Sequence, residues 1–195
     1  MIYLSHRSHF VSFVLVSTPN DTATTEIYTL PLHDALPIST PSYLGLGGNL
    51  GHPMALFDEV VDHFRAHPLV NAVKESSRFE SVPVDASGPN YVNSVLEIQW
   101  LGSAEQLLQS CMALESKLGR VRTTRNAPRP IDVDVLLVGH QTVNTSQLTV
   151  PHPRMHLRRF VLDPRLQVNP AGLIPGLGPA KPSLPATLAP TRTVI

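Results

Sequence analysis

From Tyr43 onward the chain switches between two hydrophobic periods. Tyr43, Leu44, Gly45, Leu46 and Gly47 alternate and predict a strand, ended by Gly47-Gly48-Asn49. Pro53 stands where a first helical residue is tolerated, since its missing N–H costs nothing there. Met54, Phe57, Val60, Val61 and Phe64 then recur at helical spacing, which predicts an amphipathic helix to about Ala66, stopped by Pro68. Residues 70–79 read as a strand, and residues 82–90, with Pro83, Gly88 and Pro89, as a loop. Over residues 91–100 the period returns to two, with Val92, Leu96, Ile98 and Trp100 on one face and Tyr91, Asn93 and Val95 on the other.

Ser103 and Gln106 have the spacing of a capping box. The helix they open would bury Ala104, Leu107, Leu108, Cys111, Leu114 and Leu118, with Gly119 as its stop. Residues 131–138 form the clearest strand, with Ile131, Val133, Val135 and Leu137 expected on one face. The order is strand, helix, strand, strand, helix, strand. Two split βαβ halves predict a ferredoxin-like α+β sandwich, an antiparallel sheet with helices packed on it. We expect this domain over residues 41–180. Seven prolines from Pro164 to Pro190 predict an irregular tail over 181–195.

Residues 1–40 read differently. Phe10 to Val16 is apolar but short, follows two histidines and lacks a small-residue cleavage site, so a secretory signal is not expected. Asn20 to Ile38 has no persuasive helix or strand period. It resembles the in-frame translation of a short-read sequencing adapter, with Pro31 where Ser would stand. We therefore expect residues 1–40 to be a non-native or disordered extension and set them apart from the fold.

Composition narrows the function. The 195 residues carry 15 Lys and Arg against 15 Asp and Glu, and this balance argues against a general nucleic-acid binder. No apolar run reaches the roughly 20 residues of a membrane span. A single cysteine, Cys111, excludes an intrachain disulfide and fits a reducing compartment, the cytoplasm. The charge is uneven, however. Nine basic residues (Lys117, Arg120, Arg122, Arg125, Arg129, Arg154, Arg158, Arg159 and Arg165) face only Asp132, Asp134 and Asp163 between positions 117 and 165. Such a local field suits a small polyanion, or else forms a solvated basic surface.

Asp132 and Asp134 share one face of an apolar strand, roughly 6.5 to 7 Å apart along the backbone. Two like charges at that distance repel by about 2 kcal/mol at an effective dielectric near 20. Divalent cations would relieve that repulsion, and Mg²⁺ prefers one or two carboxylates completed by phosphates and water. A wet face on an ordinary amphipathic strand is the plainer alternative. Arg120, Arg122, Arg125 and Arg129 lie just upstream, as salt-bridge partners for the acids or as clamps on bridging phosphates. Spare cations favour an anionic ligand and the needs of phosphoryl transfer.

His152, six residues before Arg158 and close to Thr149, is a candidate phosphate contact or an ordinary hydrogen-bonded histidine. Glu115 borders an apolar helix side, where an acid needs a partner. A nucleoside donor or an arginine would serve. Tyr91 and Asn93 present an aromatic plane and an amide edge together, which suits a flat heterocycle unless Tyr91 simply fills the core. No phosphate-binding glycine loop or dinucleotide fingerprint is present.

Taken in order, these pieces resemble the 6-hydroxymethyl-7,8-dihydropterin pyrophosphokinase family of folate biosynthesis. The matching motifs are Gly47-Gly48-Asn49-Leu50, Pro89-Asn90-Tyr91-Val92-Asn93, Leu114-Glu115 with Gly119-Arg120-Val121-Arg122, Pro128-Arg129-Pro130-Ile131-Asp132-Val133-Asp134, Leu148-Thr149-Val150-Pro151-His152 and Arg158-Arg159-Phe160. The resemblance covers about residues 43–178. It implies transfer of the β,γ-diphosphoryl unit of ATP to the pterin hydroxymethyl group with release of AMP. Asp132 and Asp134 would hold two Mg²⁺ ions, while Arg120 and Arg129 neutralise developing charge. Arg122, His152 and Arg158 would contact phosphates, with Glu115 and Thr149 nearer the nucleoside. The pterin would stack between Tyr91 and Phe160, with Asn93 on its edge and the segment at Ser81, Val82 and Val84 completing the pocket. The implied partners are ATP and a dihydropterin, without nucleic acid or membrane, and the chain would be a monomer. Gly48 departs from the Ser common in the family, and Asn126 and Met112 depart from residues of some members. A ligand-sensing ferredoxin-like module and a Mg²⁺-dependent phosphotransferase with another acceptor remain the competing classes.

Overall fold

The computed structural model describes residues 4–7, 10–13, 38–83, 88–120, 128–179 and 192–194. The chain divides into two units, Met1–Ile38 and Ser39–Ile195. In the first, β1 (Leu4–Arg7) and β2 (Phe10–Phe13) pair antiparallel. Of the adapter-like segment, residues 20–37 lie outside the described residues.

The second unit runs β3 (Thr40–Gly48), α1 (Pro53–Arg65), β4 (Val70–Glu75), β5 (Arg78–Ser81), β6 (Tyr91–Trp100), α2 (Ala104–Lys117), β7 (Asp132–Val138), β8 (Val143–Asn144) and β9 (Thr149–Val150). A 3-10 turn (Met155–Leu157), α3 (Arg159–Val168), β10 (Leu173–Ile174), β11 (Gly178–Pro179) and β12 (Arg192–Val194) complete it. β3 is central, antiparallel to β6 on one side and to β7 on the other. β4 and β5 both pair with β6, and β12 closes the edge on β5. This is the antiparallel α+β sandwich that the element order predicts.

The two faces of the sheet build two cores. α1 and α2 lay Phe57, Val60, Val61, Phe64, Leu107, Cys111 and Leu114 against Leu44, Leu46, Leu96, Ile98, Trp100, Val133 and Val135. On the opposite face α3 packs Val161, Leu162 and Val168 against Tyr43, Val95, Leu136 and Leu137. At α2 the capping box is complete: Ser103 Oγ accepts from Gln106 N at 3.2 Å, and Gln106 Oε1 accepts from Ser103 N at 2.8 Å. Such a cap contributes about 1 kcal/mol.

Four expectations change. Leu137 does not continue the face of Ile131, Val133 and Val135, because Tyr43 pairs with Leu137 while Leu44 pairs with Val135. The bulge at Leu136 turns Leu137 over, and both leucines join the α3 core. The single strand expected over residues 70–79 is two, broken where Ser76 Oγ takes the Val95 N–H at 3.0 Å. The helix α3 is unannounced in the sequence, since Pro164 sits inside it. In the tail, Arg192–Val194 pairs with β5 instead of being irregular throughout.

Candidate active site

The site lies on the α3 face of the sheet, beyond the apolar core. Gly47 pairs with Asn93 on β6 and with Asp132 on β7, and Gly45 pairs with Val95 and Asp134. Directly opposed residues share a face, so Asn93, Asp132 and Asp134 project to the same side. Glycines at 45 and 47 leave the middle strand without side chains between them.

Asp132 is held by two guanidinium groups. Arg120 Nη1 stands 2.6 Å from Oδ1 and Arg129 Nη1 3.2 Å from Oδ2. Oδ1 is buried and, among the described residues, has this ion pair but no hydrogen bond. Arg120 arrives there through the end of α2. Gly119, at φ +83°, turns the chain so that Gly119 N donates to Ser116 O at 3.2 Å and Arg120 N to Glu115 O at 3.0 Å. This glycine-stopped ending returns the Arg120 side chain to Glu115.

Glu115 is 4% exposed. Its Oε1 accepts from Val133 N at 2.7 Å and from Arg120 Nη1. Burial raises its pKa, opposed by the Val133 N–H and by Arg120. Of the two partners the sequence leaves open for this acid, the structure supplies the arginine.

Asp134 has a different environment. Burial and the neighbouring Asp132 raise its pKa to about 6, against the pull of Arg158, Arg120 and Arg129. His152 Nε2 approaches its Oδ2 only to 4.0 Å. Burial and the charges of Arg158 and Arg154 hold His152 down at about 4, so it is neutral at neutral pH. Its Nδ1 accepts from Arg154 N at 3.3 Å, which assigns the proton to Nε2, the nitrogen facing Asp134. The backbone of His152 is anchored on β7 by its N–H to Leu136 O at 2.9 Å.

The remaining expected residues form two groups. Ser81 pairs with Tyr91, and Ser81 Oγ accepts from Asn93 Nδ2 at 2.8 Å. This uses one amide hydrogen and leaves the Asn93 oxygen facing the Gly47 row, 3.6 Å from where a Cβ would stand. Phe160 comes from α3 over the same face, with the Arg158 guanidinium 5.5 Å from its ring centroid. Val82 is exposed. Thr149 lies in the β8–β9 hairpin opposite Asn144, outside the ion pairs around Asp132. Arg122 and Val84 lie outside the described residues.

Asn49 was legible only as part of a motif, with no assigned role. It is 6% exposed and hydrogen-bonds to both segments that flank the site. Gly48 beside it has no room for the family's Ser, since a Cβ would stand 2.3 Å from Pro130 O.

The donor set fits a hard divalent cation. Among the described residues Asp132 Oδ1 is a buried oxygen without a hydrogen bond, and Asp134 is an acid whose approaching histidine is neutral. Among the described residues no three His, Cys, Asp or Glu side chains cluster, so water and phosphate oxygens would complete the coordination.

Fold and site together define a class: an antiparallel α+β domain whose paired carboxylates and guanidinium groups suit phosphoryl transfer. Comparison with known proteins makes the class specific. Residues 43–170 match the model of the family 7,8-dihydro-6-hydroxymethylpterin-pyrophosphokinase (HPPK), and the chain belongs to that family. It is similar to the 2-amino-4-hydroxy-6-hydroxymethyldihydropteridine pyrophosphokinase of Bacillus subtilis, at 35% identity over 65% of this chain and 77% of the relative. Proteins of the same name match from Methylorubrum extorquens (35% identity, 70% and 87% coverage) and Pseudomonas aeruginosa (36% identity, 66% and 80%).

Proposed function

We infer that this chain transfers the β,γ-diphosphoryl group of ATP to the hydroxymethyl group of 6-hydroxymethyl-7,8-dihydropterin, releasing AMP, in folate biosynthesis. The observation that carries the reading is the row Asn93–Gly47–Asp132, which sets an amide edge and a guanidinium-flanked carboxylate on one face with a side-chain-free strand between them. The family membership supports the same chemistry.

Asp132 and Asp134 would hold the metal, two Mg²⁺ ions in this reading. Bound there, Mg²⁺ screens the triphosphate and polarises its phosphoryl oxygens. Arg120 and Arg129 stabilise charge that grows on the oxygens around the β-phosphorus, and Arg122, His152 and Arg158 orient the phosphate chain. His152 offers its Nε2–H as a neutral donor. Tyr91 and Phe160 bracket the pterin ring, Asn93 reads its edge, and the segment at Ser81, Val82 and Val84 closes the pocket. Thr149 and Glu115 serve the nucleoside side, Glu115 through its hold on Arg120. The hydroxymethyl oxygen bonds to the β-phosphorus and gives up its proton to solvent, as the bond from that phosphorus to the α,β-bridging oxygen breaks and AMP leaves.

The buried, lone Cys111 supports a cytoplasmic setting, and no helix among the described residues is long and apolar enough to cross a membrane. We also propose a monomer. The extension up to about Ser39 is foreign to the enzyme, a reading supported by the family match starting at residue 43, although Thr40 already opens β3. Amplifying the locus from source DNA and finding those codons in the transcript would refute it.

The decisive experiment measures nucleotide products from ATP with and without the pterin. AMP that depends on the acceptor supports this function. ADP would point to another kinase, and no turnover to a binding module. Asp132→Ala with Asp134→Ala should abolish metal-dependent ATP binding.

A further inference from the structure

Asn49 makes three hydrogen bonds across the mouth of the site. Its N–H donates to Arg129 O at 3.0 Å, and its Oδ1 accepts from Arg129 N at 3.0 Å. Its Nδ2 donates to Pro89 O at 3.2 Å. The partners fix the amide orientation, because a carbonyl needs the NH₂ and an N–H needs the oxygen. A Cβ on Gly88 would stand 3.6 Å from Asn49 Nδ2 and 3.7 Å from Pro128 Cγ, so segments 88–90 and 128–130 meet over this residue. Gly48 completes the seat by leaving space for Pro130 O.

We propose that Asn49 is a positioning residue that fixes Arg129 against Asp132 and couples it to the segment leading into Tyr91 and Asn93. Arg129 is pinned through both its N–H and its C=O, three residues before the acid its side chain pairs with. Pro89 is hooked two residues before Tyr91. One buried amide therefore sets the separation between the phosphate end and the heterocycle end of the site. The coupling to catalysis rests on the roles proposed above for Arg129, Tyr91 and Asn93.

The test combines amide hydrogen exchange with steady-state kinetics for both substrates, on the full chain. Asn49→Asp keeps an acceptor for Arg129 N–H and sets a carboxylate oxygen against Pro89 O. It should speed exchange at residues 90–93 and raise the pterin KM about three- to tenfold, the scale of one lost hydrogen bond, leaving the ATP KM unchanged. Asn49→Ala should loosen both segments and lower kcat by at least about tenfold. Gly48→Ala displaces Pro130 and should raise the ATP KM alone. A lower melting temperature for the Asn49 variants with kcat and both KM values unchanged would make Asn49 merely structural and overturn the proposal. Equal changes in both KM values for Asn49→Asp would overturn it too. Arg129→Ala with full activity would instead defeat the role given to Arg129, while the exchange data would still decide whether Asn49 ties the segments.

Discussion

Asn93 and Asp132 stand opposite the same residue, Gly47, on the strands to either side of β3. With strands about 4.8 Å apart, their backbones are about 10 Å from each other, room for reacting groups above a bare glycine. A Cβ at Gly47 would lie 3.6 Å from Asn93 Oδ1 and 3.9 Å from Asp132 Cβ, ordinary contact distances. Gly47→Ala should therefore fold with stability within about 1 kcal/mol of wild type. Gly47→Val puts branched carbon into the space and should cut kcat/KM by about 100-fold or more, equivalent to about 2.7 kcal/mol. Thermal melting and product assays check both, and undiminished kcat/KM in the valine variant would contradict the placement of substrate over this row.

Glu115 organises Arg120. Glu115→Gln keeps an oxygen for Val133 N–H but removes the charge beside Arg120, so it should cost about 1–3 kcal/mol in urea unfolding. Glu115→Ala orphans a buried N–H and leaves Arg120, among the described residues, with Asp132 as its acid partner, so its cost should be larger. A double-mutant cycle with Arg120→Ala should show coupling of about 1–3 kcal/mol. Additive effects would mean that the two side chains do not act as a unit.

Much of this architecture was readable from periodicity. β6 is readable because Leu96, Ile98 and Trp100 enter the core under α1 and α2 while the other face carries Asn93, Glu97 and Gln99 beside Val95, and α2 is announced by a capping box at one end and Gly119 at the other. Failures occurred where the physical cause is not local. Residues 135–138 are apolar throughout, so nothing in them marks the bulge that Tyr43 and Leu44 impose on Leu137. α3 contains Pro164, and tertiary packing overrides the helix-breaking signal. Spacing placed Asp132 and Asp134 on one face, whereas the pairing of Arg120 with Glu115 depends on how the end of α2 meets β7. The role of Asn49 depends on contacts 40 and 80 residues away in sequence.

Asp134 holds its proton more tightly than an ordinary aspartate. With its pKa raised to about 6, Asp134 in the metal-free enzyme is largely protonated at pH 5 and ionised at pH 7.5. A cation bound at Asp134, as proposed above, would have to displace that proton. Metal-dependent ATP affinity should therefore be nearly flat above about pH 7 and fall by up to about tenfold for each unit below about 6. Calorimetric titration of Mg²⁺ with ATP across this range reads the effect. Constant affinity from pH 7.5 to pH 5 would exclude Asp134 as a ligand that loses a proton on binding.

His63 and His67 offer a pH effect far from this chemistry. Their rings lie 5.6 Å apart, centroid to centroid, and His67 stands 5.1 Å from Trp100. Burial lowers both pKa values, and for His63 the neighbouring His67 and Lys117 add to the effect. His67 Nδ1 also accepts the Leu69 N–H at 3.2 Å, a bond that protonation at that nitrogen would remove. A base with a depressed folded pKa binds protons more readily when unfolded. Stability should therefore fall as pH drops through the ordinary histidine value of about 6.5 toward the lower folded value. The melting temperature should decrease from about pH 7.5 to about pH 5.5, by about 2–4 °C for each kcal/mol in a domain of this size. His152 acts in the same direction and Asp134 in the other, yet neither changes in the double variant His63→Gln, His67→Gln. That variant should lose part of the acid-side slope. An unchanged slope would show that the pair takes up protons equally in the folded and unfolded chains, and would contradict the lowered folded values.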